Sequence, residues 1–69
     1  VTRPQATIRV QRELRAAGFV PGRQVGSHTT WVHPSGVTIT VPDGHRVISA
    51  GVYRTIRAAI QDAEDQGER

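Results

Sequence analysis

The 69-residue sequence predicts an α+β domain of two layers, in which two helices cover one face of a three-stranded antiparallel sheet and leave the other face bare. Three observations carry that expectation. Val10, Leu14 and Ala17 recur at intervals of four and three, a "PSG" turn joins two segments rich in β-branched and aromatic residues, and Val52, Ile56, Ala59, Ile60 and Ala63 form a second helical stripe. A chain this short buries only about 60% of its unfolded surface, so residues 1–69 are expected to form a single domain around one thin core.

The first helix is expected over about residues 2–17. Thr2 followed by Gln5 fits a capping box, and Pro4 suits a first turn because its missing N–H has no partner there anyway. Gly18 supplies a left-handed stop, with Phe19 as the apolar contact beyond it. Arg12 and Arg15 fall on the side away from the stripe, and Ile8 lies off it. A strand over about 19–25 contains Pro21 and Gly22, which suit only a short or irregular edge.

Strands over about 27–33 and 37–41 flank the "PSG" loop, in which Pro34 takes the second turn position and Gly36 a positive φ. That loop sets a register. Pairing His33 with Val37 puts Trp31 opposite Ile39 and Thr29 opposite Val41 on the buried face. His28, Thr30, Val32, Thr38 and Thr40 then occupy the open face. "PDGHRVI" is expected to be a loop, with Ser49 as N-cap of a helix over about 50–65. Its acidic end sits at the negative pole of the helix dipole, so fraying is expected beyond about Asp62.

Composition narrows the function. Without cysteine there is no disulfide framework and no thiolate zinc site. No apolar run approaches the roughly 18 residues of a membrane span, and "VTRPQATIRV" lacks the hydrophobic segment of a signal peptide, so a soluble, cytoplasmic protein without membrane contact is expected. Residues 1–61 hold eight arginines against Glu13 and Asp43, a balance of +6, while residues 62–69 carry −3. A basic body suits a polyanion such as nucleic acid, although an all-arginine, lysine-free composition also fits coding bias in a GC-rich genome.

His28, His33 and His45 match no compact zinc spacing, and His28 and His33 face opposite sides of a strand, so neither a metal nor another cofactor is expected. The body has no carboxylate pair, no G-x-S-x-G elbow and no glycine-rich phosphate loop before a helix. What remains is RNA cleavage in which a base takes the 2′-hydroxyl proton and the oxygen attacks the adjacent phosphate. His28 suits the base because imidazole exchanges protons near neutral pH. It follows Gly26, which lets the backbone turn, and Ser27, whose hydroxyl can orient the ring or a phosphate. From these residues alone His28 is either that base or a polar histidine at an exposed strand end. Arg23 lies close in sequence, Arg46, Arg54 and Arg57 are candidates to ring the bare face, and Tyr53 or His45 to protonate the leaving oxygen.

The stretch "LRAAGFVPGRQVGSHTTWVHPSGVTITVP", with the later "GVYRTIRAAI", resembles the HicA toxins of bacterial toxin-antitoxin systems. The shared features are Leu14 and Gly18-Phe19 at the end of a first helix, Gly26-Ser27-His28, a hairpin, the strand-ending Pro42, and Gly51 opening the last helix. The resemblance covers about Val10 to Ile60. It implies a fold similar to a double-stranded-RNA-binding domain, a ribosome-independent mRNA interferase whose essential histidine is His28, and a HicB-like antitoxin that covers the active face. Three departures stand out. Asp43 and Gly44 precede His45, one position later than the histidine the family often has after its proline; Val52 replaces a common threonine; and arginine replaces the usual lysines. Two other readings fit the same fold: a non-catalytic RNA-binding module, and an interaction domain that docks a partner on its bare sheet or edge strand.

Overall fold

The computed structural model describes residues 3–67. In chain order its elements are β1 (Gln5–Ala6), α1 (Thr7–Ala16), β2 (Val20–Val25), β3 (His28–Val32), β4 (Thr38–Val41), β5 (Val47–Ile48) and α2 (Ala50–Gly67). Strands β2, β3 and β4 form the antiparallel sheet in that order, and β1 pairs with β5 in a separate two-stranded ribbon.

The ribbon corrects the expected start of the first helix. Gln5 and Ala6 are extended and pair with Ile48 and Val47, so α1 begins at Thr7 rather than near Thr2. The backbone groups that an earlier helical turn would satisfy internally are satisfied across the chain instead. Thr7 donates its N–H to Arg46 O at 2.9 Å and its hydroxyl to His45 O; the Gln5 side-chain amide bonds locally, to Arg3 O. Thr2, the other half of the expected capping box, lies outside the described residues. The stop is as expected. Gly18 has φ +98°, its N–H reaches Arg15 O, and the Phe19 N–H reaches Leu14 O, the paired bonds of a Schellman motif.

The β3–β4 register is the one the "PSG" loop dictates: Thr29↔Val41 and Trp31↔Ile39, with Gly36 at φ +97°. His33 anchors that loop on the helix side of the sheet. Its Nδ1 accepts the Ser35 N–H at 3.0 Å, which leaves Nε2 to donate to Ala17 O at 3.1 Å. The edge strand is irregular, since Pro21↔Trp31 and Gln24↔Thr29 leave Gly22 and Arg23 opposite Thr30 alone.

Both helices lie on one face. Val10 and Leu14 of α1, Ile56, Ile60 and Ala63 of α2, and Phe19, Trp31, Val41 and Ile48 make one buried cluster. Each such large side chain contributes roughly 1.5–3 kcal/mol by leaving water. Ser49 caps α2, its Oγ accepting the Val52 N–H at 3.4 Å. The helix runs to Gly67, two residues beyond the expected end near 65, and acidic residues in its last turns accept i,i+4 bonds from amides, Gln61 to Asp65 and Gln66 to Asp62. The opposite face of the sheet carries His28, Thr30, Val32, Thr38 and Thr40, with no layer over it among the described residues.

Candidate active site

His28 is the first residue of β3 and is exposed on the uncovered face. What holds it there is the two-residue turn that precedes it. Val25 pairs with His28, so Gly26 and Ser27 are the loop of a tight hairpin. Gly26 has φ +60° and Ser27 does not share that sign, the pattern of a type II′ turn, whose first position is reserved for glycine. A Cβ at Gly26 would meet nothing within 4 Å, so backbone conformation alone demands the glycine. Ser27 Oγ lies 3.4 Å from His28 Nδ1, a long hydrogen bond that biases the ring's orientation.

The segment after β4 closes on this turn. Gly44 donates its N–H to Ser27 O at 2.9 Å and packs so closely that a Cβ there would lie 2.6 Å from Ser27 Cβ. Its neighbour Asp43 points into the interior edge of the sheet. Asp43 Oδ1 accepts the Thr29 hydroxyl at 2.7 Å, and Oδ2 accepts the Trp31 indole N–H at 3.3 Å and the Gln11 amide at 3.2 Å. Buried Trp31 thereby finds the acceptor its N–H requires, and the Arg15 guanidinium stacks on its ring, 5.3 Å from the centroid.

The remaining candidates divide into two groups. Arg23 is exposed in the β2 bulge beside β3, and His45 and Arg46 are exposed in the segment that Gly44 docks on Ser27, so these three belong to the same end of the molecule as His28. Arg54 and Arg57 are exposed on α2, in the helical layer behind the sheet, and are not brought to the bare face. Tyr53 also stays in that layer. Its hydroxyl donates to both Glu13 oxygens, at 2.9 and 3.0 Å, so its proton is engaged away from His28. Partial burial, and then the Glu13 carboxylate, hold this phenol above its ordinary value of 10.0, with Arg57 and Arg9 pulling weakly the other way.

Asp43 is the residue whose role the sequence did not announce. Its signal was present in part: a carboxylate between proline and glycine, just after the strand that pairs with the one holding the tryptophan. No group of three or more His, Asp or Glu side chains assembles as a metal site among the described residues.

The open face is not wholly polar. Val20 pairs with Val32, and Val25 pairs with His28, and these valines are 59%, 38% and 65% exposed. The imidazole therefore stands among threonine hydroxyls and a broken apolar strip.

Against known families, the model for HicA toxin of bacterial toxin-antitoxin systems matches residues 9–64. The chain belongs to the HicA toxin family. It is thus a toxin of a toxin-antitoxin pair, and the HicA assignment implies an antitoxin partner. Comparison with curated proteins gives no match. No helix among the described residues of this HicA protein is long and apolar enough to cross a membrane.

Proposed function

We propose that this HicA protein is a metal-independent mRNA endoribonuclease, acting in the cytoplasm as a single domain, with His28 as general base. The observation that carries the reading is the exposed imidazole, set on an uncovered sheet face by a glycine-dependent turn. With Nδ1–H donated to Ser27 Oγ, Nε2 keeps a free lone pair. That lone pair takes the 2′-hydroxyl proton, the oxygen attacks the adjacent phosphorus, and the 5′-oxygen leaves. The products are a 2′,3′-cyclic phosphate and a 5′-hydroxyl. In this reading Arg23 and Arg46 neutralise the charge gathering on the phosphate, and His45 is the acid for the leaving oxygen.

A HicB-like antitoxin silences this chemistry by covering the open face. Val25 beside His28, and Val20 and Val32 at the other end of the strand, give it apolar anchors on the same face, a grip that a solvated RNA backbone does not need.

The test compares the chain with His28→Ala under tightly controlled expression and on purified RNA in the presence of a chelator. A positioned histidine base contributes about 10²- to 10⁴-fold, so the variant is expected to abolish growth arrest and transcript loss while RNA binding persists. Cleaved ends should carry the cyclic phosphate. RNA bound but left intact by both chains would make the protein a binding module instead.

A further inference from the structure

We infer that Asp43 and Gly44 are positioning residues that clamp His28 from both sides, an inference that rests on the catalytic reading of His28. The geometry is specific. The two chain neighbours of His28 are each tied to one of two consecutive residues in the segment after β4: Ser27 through its carbonyl to the Gly44 N–H at 2.9 Å, and Thr29 through its hydroxyl to Asp43 Oδ1 at 2.7 Å. The other Asp43 oxygen is fixed by Trp31 of the same strand and by Gln11 of α1. The clamp is thus anchored in the core and not merely laid against the surface.

The clamp also accounts for the two residues that stand between Pro42 and His45. Asp43 is the acceptor that the Trp31 indole and the Thr29 hydroxyl both need, and Gly44 is the only residue type that fits against Ser27, since a Cβ there would stand 2.6 Å from Ser27 Cβ and 2.7 Å from Ser27 Cα. One anchor holds the Ser27 carbonyl and the other the Thr29 side chain, on either side of His28, and among the described residues the His28 ring itself has only the long Ser27 bond. Loss of the clamp therefore leaves the base present and exposed but free to wander, which reduces the fraction of encounters in which Nε2 faces the 2′-hydroxyl.

The experiment measures single-turnover cleavage and, on a 2′-deoxy analogue that resists cleavage, RNA binding. Asp43→Ala removes every acceptor. It is expected to slow cleavage by about tenfold to a hundredfold with RNA affinity changed less than about twofold. Asp43→Asn is expected to restore most of the rate, because its carbonyl serves Trp31 and the Thr29 hydroxyl can accept from its amide. Thr29→Val cuts one arm at constant volume, gives a several-fold loss, and carries the test if Asp43→Ala fails to fold. Ile60→Val, which removes a core methyl group but none of the hydrogen bonds of the clamp, should leave cleavage unchanged. Full activity in Asp43→Ala and Thr29→Val alongside an inactive His28→Ala would overturn the clamp alone. An equal loss in Ile60→Val would overturn it too, by tracing the effect to stability. Full activity in His28→Ala would overturn the clamp together with the catalytic reading beneath it.

Discussion

Single residues in this small protein act by where they leave protons. The Tyr53 hydroxyl bonds Glu13 between the two helices, and its partial burial and that carboxylate raise its pKa above the ordinary 10.0. A phenol whose folded value is raised binds its proton more tightly in the native state. Its contribution is fully present below about pH 10 and is lost as pH rises through the folded value. Urea denaturation at pH 9 and at pH 11 should show lower stability at the higher pH, and Tyr53→Phe should remove part of that slope while costing some stability at neutral pH. A slope identical in the two chains would mean that the Glu13 contact carries no linkage. Residues of this kind were hard to read in sequence. Tyr53 was, with His45, a candidate acid for the leaving oxygen, and only the helix packing shows that the hydroxyl is already spent on Glu13.

At the scale of elements, the pieces legible in advance were those whose signal is local. The "PSG" hairpin, its register and the outward placement of His28 follow from period-two alternation and one glycine turn, and the Gly18 stop follows from the backbone freedom of one residue. The β1–β5 ribbon was not legible because its partners are some forty residues apart and each contributes only two residues. Capping chemistry read from Thr2 and Gln5 was a local preference that a distant pairing overrode. The bulge in β2 lay between these cases: Pro21 and Gly22 announced irregularity, but not its cause. A Cβ at Gly22 would lie 2.9 Å from the Thr30 carbonyl oxygen, so the glycine is there to let two backbones approach. Gly22→Ala is expected to cost roughly 1–3 kcal/mol, because backbone oxygen in a sheet cannot swing aside as a flexible side chain can. Chemical denaturation measures this directly, and a loss below about half a kcal/mol would show that the edge strand relaxes freely.

For the whole molecule, the shape is a plate of 35 × 30 × 16 Å, thin because one sheet face has no cover, and its charge is distributed without compensation. Arg9 with Glu13, at 3.9 Å, is the single ion pair among the described residues, while the Asp43 carboxylate accepts only from neutral donors. Exposed arginines lie in two regions of the plate: Arg23 in the β2 bulge and Arg46 shortly after Gly44, Arg54 and Arg57 on the helical layer. Counterion release distinguishes the sides. Each phosphate of a single strand that the protein neutralises contributes about 0.7 to the slope of log affinity against log salt. If RNA crosses the His28 face, Arg23→Gln and Arg46→Gln should each flatten that slope by about 0.7 while Arg54→Gln and Arg57→Gln leave it unchanged. Anisotropy titrations of a cleavage-resistant RNA between about 50 and 200 mM salt resolve this difference. The converse pattern, with the slope held by the α2 arginines, would place RNA against the helices. His28 would then lie on the far side of the sheet from its substrate, and a nuclease working through that imidazole would have no access to the bond it cuts.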